Sequence, residues 1–382
     1  MNKITNLIYD LLNSKIKLYS RITKIRIVRV GIIHPYFDVI GGAEVTSLSL
    51  IDVLITNKIK TTLYCIKSPD IEQTNLFSIH KIKQKKFPIF WRYQRMMEVK
   101  NLFSSVSNEN ILFVMSGGLT LEKSNAKLVY VYCHSSFLGE LEFVKREFHG
   151  IKGIYYKIIQ NSVQKSIEFL KNNDIKLISN SNFTKTEIKK NFDKDSCVIY
   201  PPIDINKFCN ISNKQKENKV ITISRFSVEK NLESVIKIFN NTDFFCELIG
   251  SAKHKNQFKI LENLQKVKVK NVKIYNNVSP QNIIELLATA KVYLHTSKET
   301  FGISVVESIA AGCIPIVPDN SAHKETVPFE ELRYKDNEDA VNKINDAMRG
   351  KFDDLRPKLF KHIQKFSSEI FQKNIIELIE KN

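Results

Sequence analysis

This sequence has neither closely spaced cysteines nor a long apolar run. Its six cysteines are scattered over 382 residues without a Cys-x-x-Cys pair, which argues against a zinc site and against a disulfide framework. No stretch approaches about 20 consecutive apolar residues, the length that a membrane-spanning helix needs. The opening residues 1–24 lack the continuous apolar core and the small-residue cleavage site of a secretory signal. We therefore expect a protein of the reducing cytoplasm.

Signatures of nucleic-acid-binding modules are also missing, although the net charge is +18. That charge indicates an anionic partner, and nucleic acid, an anionic membrane face or a phosphorylated substrate would each serve. A lysine-rich composition that only keeps the protein soluble is the plain alternative. Because no RRM, KH, zinc-finger or helix-turn-helix pattern is present, we expect no nucleic-acid partner.

The first 24 residues predict an amphipathic helix. Ile4, Leu7 and Leu11 recur at helical spacing, and basic residues such as Lys15 and Arg21 surround this stripe. Such a helix can lie in the surface of an anionic bilayer. It can equally pack on its own domain, and the sequence favours neither arrangement.

The length, with 43% hydrophobic and 26% charged residues, indicates two globular domains. Apolar, β-branched runs alternate with helical patterns in both halves, which predicts two parallel α/β sheets. Helices with one face available to a partner are expected between Leu141 and Lys171. A double proline followed by a polar run predicts a linker. The expected division is an amphipathic helix over 1–24, a Rossmann-like domain over 25–200, a linker over 201–219, a second Rossmann-like domain over 220–360 and C-terminal helices over 361–382.

Two features of the first half suggest ligand contacts. Gly41 and Gly42 precede a predicted helix, where backbone N–H groups can approach a phosphate. Glycine turns before helices are nevertheless common without any phosphate. His134 follows a strand, and ligands of open α/β sheets collect at the carboxyl ends of the strands. A lone histidine at such a position can equally be structural.

In the second half, "SRFSVEKN" places Arg225 and Lys230 between a predicted strand and a predicted helix. Two fixed cations beside a helix N-terminus suit a diphosphate. Two solvated loop charges are the alternative interpretation of this stretch.

The most specific stretch is "KETFGISVVESIAAGCIPIV". Glu307 lies among apolar residues, where a carboxylate is costly to bury unless something binds it. Gly302 permits close backbone approach where a helix begins, and Glu299 precedes that helix. Two glutamates that flank a phenylalanine-glycine pair favour binding of sugar hydroxyls over a purely structural role.

Together these motifs resemble the retaining glycosyltransferases of family 4, which have the GT-B fold of two Rossmann-like domains facing across a cleft. The resemblance covers nearly the whole chain, with "GGAE", the strand-end His134 and "YPPIDINKF" as further elements. It is most specific in "ISRFSVEKN" and in the pair Glu299 and Glu307. One departure is "PDNSAHKETV", where many relatives have a glycine-rich turn after the last strand.

The resemblance implies that a nucleotide-activated sugar binds to the second domain. Arg225 and Lys230 would neutralise the diphosphate, which is the leaving group. Backbone amides around Phe301, Gly302 and Ile303 would add to that neutralisation. These enzymes generally need no divalent metal, so we expect neither a metal ion nor a cofactor.

The same resemblance assigns roles to the remaining candidates. Glu307 would hold the ribose hydroxyls, and Glu299 would hold the hydroxyls of the donor sugar. His134 would contact that sugar from the opposing domain, and Gly41 and Gly42 would approach the phosphates from the same side.

Within the family, the motifs look most like those of mannosyltransferases that extend lipid-linked oligosaccharides from GDP-mannose. The acceptor would then be a glycan or a lipid diphosphate, bound by an enzyme held peripherally at an anionic, cytoplasmic membrane face. Three alternatives stay open: a UDP-sugar transferase for cell-surface polysaccharide, a non-catalytic GT-B partner, and a basic nucleic-acid-binding protein.

Overall fold

The computed structural model describes residues 28–38, 41–84, 90–209 and 215–381. The amphipathic helix predicted over 1–24 lies outside the described residues. In the described part, no helix combines the length and the hydropathy that crossing a bilayer requires.

The first domain is built on a sheet of seven parallel strands. They are β1 (Arg29–Ile33), β2 (Lys60–Cys65), β3 (Phe77–Lys81), β4 (Ile111–Val114), β5 (Leu128–Cys133), β6 (Lys176–Ser179) and β7 (Ser196–Val198). Its helices are α1 (Gly42–Thr56), α2 (Trp91–Ser105), α3 (Leu138–Lys145), α4 (Gly150–Asn172) and α5 (Asn182–Phe192).

The second domain is built on six parallel strands. They are β8 (Glu217–Arg225), β9 (Phe245–Ser251), β10 (Val272–Asn276), β11 (Ala290–Leu294), β12 (Ile314–Pro318) and β13 (Arg333–Tyr334). Its helices are α6 (Ile205–Cys209), α7 (Glu233–Phe239), α8 (Lys255–Val267), α9 (Pro280–Thr289), α10 (Ile303–Ala310), α11 (His323–Thr326), α12 (Asn337–Met348) and α13 (Arg356–Ile363). A last helix, α14 (Ser368–Glu380), follows.

Both sheets have the strand order of a doubly wound Rossmann fold. The first runs β3-β2-β1-β4-β5-β6-β7, and the second runs β10-β9-β8-β11-β12-β13. The order reverses between β1 and β4 and again between β8 and β11, and ligands of such sheets bind at these switch points. The prediction of two parallel α/β domains is confirmed.

The core of the first domain lies on both faces of its sheet. Val30 and Ile32 of β1 are fully buried on one face, together with Phe113 of β4. Ile33 and Val114 are fully buried on the other face. Alternate residues of a strand point to opposite faces, so a parallel sheet covered on both sides needs strands that are apolar throughout. This requirement explains why the central strands could be recognised in the sequence.

Part of the predicted linker over 201–219 has regular structure. Helix α6 occupies Ile205–Cys209, and β8 already begins at Glu217. Just before α6, the segment that leads into the second domain lies beside the segment that leads back to the first domain. The backbone N–H of Ile203 donates to the carbonyl of Phe366 at 3.1 Å, and the N–H of Ser368 donates to Ile203 at 3.0 Å.

The last helix packs on the first domain, although it follows the second in sequence. Phe371, Ile375 and Ile379 of α14 are buried in the same cluster as Leu50 of α1 and Val30 of β1. The chain therefore crosses between the domains twice, and α14 is part of the first domain's core.

Replacing Ile375 with alanine should lower the free energy of unfolding of the first domain by about 2–5 kcal/mol, because the truncation leaves a cavity in a buried cluster. Urea unfolding followed by circular dichroism measures the change. Lys373→Ala, on the exposed side of the same helix, is the matched control and should change stability little. Equal unfolding curves for Ile375→Ala and the wild type would show that α14 is not part of that core.

Candidate active site

A cleft of about 1970 Å³ lies between the two domains. Residues at the carboxyl ends of both sheets line it, as the two switch points require. Every candidate residue from the sequence is found there: Gly41, Gly42, His134, Arg225, Lys230, Glu299, Phe301, Gly302, Ile303 and Glu307.

Helix α10 begins at this cleft because of one glycine. Gly302 precedes the helix with φ +94°, in the left-handed region that residues with a Cβ rarely adopt. In the first turn of α10 the backbone N–H of Val305 donates to the Gly302 carbonyl at 3.1 Å, which leaves the N–H groups of Ile303 and Ser304 to meet an anion. The Phe301 side chain is buried against the rings of Tyr200 and Phe366, with centroids 5.9 and 5.1 Å away, and this packing anchors the loop before α10.

The glycine turn of the first domain meets the start of α10 across the cleft. A Cβ atom on Gly42 would come within 2.9 Å of Cδ1 of Ile303. A side chain at position 42 would therefore require the end of the Ile303 side chain to shift.

Glu299 is the centre of a polar network. Its Oε1 forms an ion pair with Lys230 Nζ and accepts hydrogen bonds of 3.0 Å from His295 Nε2 and Ser297 Oγ. Burial alone would raise the pKa of Glu299, but hydrogen bonding and charge from His295, followed by the charge of Lys230, hold it well below its usual range. Glu299 is therefore a fixed anion in contact with a fixed cation.

The segment "PDNSAHKETV" braces the loop that carries Glu299. Ser321 Oγ accepts from the backbone N–H of Glu299 at 3.1 Å, and the N–H of Ala322 donates to the Glu299 carbonyl at 3.1 Å. His323 Nε2 lies 2.9 Å from the carbonyl of Ser297. The departure from a glycine-rich turn thus supplies side chains that fix the position of Glu299.

Glu307 has the opposite environment. Within the described residues, its carboxylate has no hydrogen-bond or ion-pair partner. Burial raises the pKa of Glu307 to about 7, while the charge of Lys207 acts weakly in the other direction. A carboxylate in such a position is suited to accept hydrogen bonds from a ligand that enters the cleft.

Arg225 ends β8 and keeps most of its side chain in solvent, with Nη2 3.8 Å from Glu229. Lys230 lies in a 3-10 turn over Val228–Lys230 rather than in the α-helix that the sequence suggested. This turn points Lys230 at Glu299. Arg225, in contrast, is mostly exposed at the cleft, where its guanidinium can meet an anion.

The N–H group of Gly41 is not free for a phosphate, contrary to the expectation for this turn. It donates to Oε2 of Glu44 at 2.8 Å, so Glu44 caps the start of α1 in the way that the glutamate of a capping box does. The other oxygen of Glu44 lies 3.4 Å from His34 Nε2. Although burial acts to raise the pKa of Glu44, the hydrogen bond and charge of His34 help hold it below its usual range. An anionic carboxylate therefore occupies this end of the first domain's wall.

His134 contributes to the cleft through its ring and its carbonyl. Burial lowers the pKa of His134 to about 4, with the nearby His34 acting in the same direction, so the ring is neutral at pH 7. Its Nε2 atom is buried and has no hydrogen-bond partner within the described residues. This unpaired Nε2 is the ring atom that a ligand hydroxyl in the cleft would have to reach.

Sequence analysis missed His295, His323, His34 and Glu44. His295 was visible four residues before Glu299, a spacing at which one side chain can reach the other. Glu44 stood three residues after Gly41, which is the spacing of a capping box. No local signal identified His323, because its partners come from a segment about 25 residues earlier.

Residues 204–366 match the family described as glycosyl transferases group 1. This range runs from α6 to the point where the chain returns to the first domain. The match therefore covers the second domain.

Two solved structures show the same architecture over nearly the whole chain. HepE from Anabaena, in complex with UDP-glucose, has a TM-score of 0.66 at 14% identity and covers 93% of this chain and 100% of that one. WaaG, a glycosyltransferase involved in lipopolysaccharide biosynthesis, has a TM-score of 0.67 at 12% identity, with coverages of 92% and 99%. The fold is that of the GT-B glycosyltransferases.

Curated relatives are similar over a shorter range. One from Dictyostelium discoideum, named GDP-Man:Man(3)GlcNAc(2)-PP-Dol alpha-1,2-mannosyltransferase, is 24% identical over 277 residues, which are 64% of this chain and 54% of that protein. A relative of the same name from Candida glabrata is 26% identical over 271 residues, 59% and 53% of the two chains. The chain thus spans about half the length of these relatives.

The unpaired Glu307 predicts a pH-dependent cost to stability. Its pKa is higher in the folded protein (about 7) than its ordinary value of 4.5, so the folded state loses stability as pH rises from 4.5 to 7. Relative to wild type, Glu307→Gln should therefore gain about 2 kcal/mol of unfolding free energy between pH 5 and pH 8. Urea unfolding at both pH values tests this. The same stability difference at the two pH values would contradict the assigned environment.

Proposed function

We propose that this protein is a retaining glycosyltransferase that transfers mannose from GDP-mannose to a lipid-linked oligosaccharide at the cytoplasmic face of a membrane. The observation that carries the proposal is the contact of Lys230 with Glu299 beside the N-terminus of α10. In this contact a cation suited to a diphosphate lies next to an acid suited to sugar hydroxyls. The names of the relatives support mannose, GDP and the lipid-linked acceptor.

The donor lies along the second domain in this proposal. Its diphosphate meets Arg225, Lys230 and the free N–H groups of the first turn of α10. Glu307 accepts hydrogen bonds from the ribose, and Glu299 accepts them from the sugar. His134 faces the sugar from the first domain with a neutral ring, which can donate or accept a hydrogen bond.

The reaction follows from where charge develops. As the bond between the anomeric carbon and the diphosphate oxygen breaks, its electron pair passes to the nucleoside diphosphate. Fixed cations and N–H dipoles that meet this growing charge lower the barrier. The acceptor hydroxyl attacks the same face of the sugar, and its proton passes to an oxygen of the departing diphosphate. Attack on the same face retains the configuration at the anomeric carbon.

The first domain supplies a wall suited to an anionic acceptor. Arg92 and Arg95 of α2 and Arg146 after α3 all line the cleft. Guanidinium groups bind phosphate oxygens in a bidentate manner. This wall is the proposed position of the acceptor's lipid diphosphate.

A patch of exposed apolar side chains adjoins that wall. Phe90 and Trp91 are 49% and 53% exposed, and Ile154 and Ile158 of α4 are 68% and 49% exposed; we call these four residues the membrane patch. The Phe90 ring lies 5.4 Å from that of Tyr155 on α4, which joins the two helices. Exposed apolar residues bordered by cations suit the headgroup region of an anionic bilayer.

A donor assay tests the function. We expect GDP-mannose to release GDP when a lipid-diphosphate oligosaccharide acceptor is present. Lys230→Ala and Glu299→Ala should each lower kcat by about 10²–10³-fold, the cost of removing a group that stabilises developing charge. The control Lys237→Ala removes a lysine from α7, outside the cleft lining, and should keep full activity.

Three outcomes would reject parts of the proposal. Full activity in both cleft variants would reject the assigned site. Turnover of UDP-glucose in place of GDP-mannose would favour the UDP-sugar alternative, a donor that the HepE complex contains. No turnover of any sugar nucleotide by the wild type would favour a non-catalytic GT-B protein.

Flotation with liposomes tests the membrane patch. Because burial of each apolar side chain favours the bilayer and a carboxylate opposes it, Trp91→Glu combined with Ile154→Glu should greatly reduce flotation with anionic vesicles. Val267→Glu on α8 is the control, since Val267 is similarly exposed, at 57%, but lies on the second domain. Equal flotation of all three proteins would show that another surface binds the membrane.

A further inference from the structure

Thr300 joins the donor side of the cleft to the opposing domain. It lies between Glu299 and Phe301, in the loop that leads into α10. Its hydroxyl donates to the carbonyl of His134 at 2.8 Å. Its own carbonyl accepts from Ser181 Oγ at 2.5 Å. Both bonds cross from the second domain to the first.

The partners of Thr300 are themselves fixed. Asn180 Nδ2 donates to the His134 carbonyl at 3.1 Å and to Thr300 Oγ1 at 3.2 Å. Ser181 caps α5 by accepting from the N–H of Thr184 at 3.0 Å. Asn180 and Ser181 are buried, with 4% and 0% exposure. Thr300 therefore connects to a rigid edge formed by the ends of β5 and β6.

This connection sets the geometry of two groups that face each other. Glu299 is the residue before Thr300, and His134 supplies the carbonyl that the Thr300 hydroxyl contacts. While this bond persists, the backbone that carries Glu299 stays next to the backbone that carries His134. Substrate groups held by two domains react efficiently only when both are in the correct relative position.

We propose that Thr300 is a positioning residue, whose hydroxyl aligns Glu299 with His134 across the cleft when the domains are together. The inference rests on the proposed glycosyl transfer and adds a residue to it. Thr300 makes no contact with the diphosphate in this role, so its loss should affect turnover more than donor binding.

The experiment compares Thr300→Val, which removes the hydroxyl but keeps the shape, with Thr300→Ser, which retains it. For Thr300→Val we expect kcat to fall by about tenfold, equivalent to about 1.4 kcal/mol. The affinity for GDP-mannose, measured by calorimetry without acceptor, should stay within about twofold. Thr300→Ser should recover most of the turnover. Thr61→Val is the matched control, because it removes a hydroxyl-to-carbonyl bond of 2.9 Å in β2, outside the cleft lining.

Hydrogen–deuterium exchange supplies a readout that needs no substrate. In Thr300→Val, peptides covering 132–137 and 297–303 should exchange faster than in the wild type and in Thr300→Ser. Unchanged exchange would overturn the connection even if no sugar donor is turned over. If the wild type is inactive but Thr300→Val still exchanges faster than the wild type in these peptides, only the proposed function is overturned.

Two kinetic outcomes would also overturn the inference. If Thr300→Val loses donor affinity in proportion to turnover, Thr300 binds the donor and does not position other groups. If exchange becomes faster while kcat is unchanged, the bond holds the domains together without aligning the site.

Discussion

The candidate site depends on one carboxylate that stays ionised in surroundings that favour the neutral form. Glu299 keeps its charge because Lys230 and His295 contact the same oxygen. Removing the acid would leave a mostly buried ammonium group without its partner, which is costly. The ion pair therefore holds the Glu299 loop against the turn that carries Lys230. Because this loop leads directly into α10, the start of the helix is held in the same position.

The two glutamates of this stretch, close in sequence, differ in what surrounds them. Glu299 has protein partners on the oxygen that faces Lys230, and its pKa is lowered. Among the residues that the structure describes, Glu307 has no such partner, and burial raises its pKa to about 7. A group that is buried without partners reduces stability, and proteins tolerate such groups mainly where function needs them. Glu299 is thus already organised by protein groups, whereas in the proposed function Glu307 would gain its partners from the ribose of the donor.

Local sequence patterns predicted the central strands and the glutamate pair because both depend on short-range periodicity. Apolar runs mark strands that are buried on both faces, and the spacing of Glu299 and Glu307 places both at one helix. The edge strand β3 was missed because three of its five residues are exposed and polar, so it lacks that pattern. His323 was missed for a different reason: it reaches Ser297 only after β12 has folded beside β11. The expectation that Gly41 approaches a phosphate did not take account of Glu44, which was visible in "GGAE" and accepts a hydrogen bond from the Gly41 N–H.

The proposed reaction requires two diphosphates, one on the donor and one on the acceptor, to share a single cleft. Their mutual repulsion is reduced if each has its own cations, and the charges are divided in this way. Arg225 and Lys230 belong to the second domain, whereas Arg92, Arg95 and Arg146 line the first. The anionic Glu44 stands on the first domain's wall at the glycine turn, where it disfavours a phosphate. Since Arg92 also lies against the ring of Trp91 in the membrane patch, the acceptor's cations are continuous with the surface from which a lipid would arrive. The division of charge between the domains thus matches the directions from which the two substrates would enter.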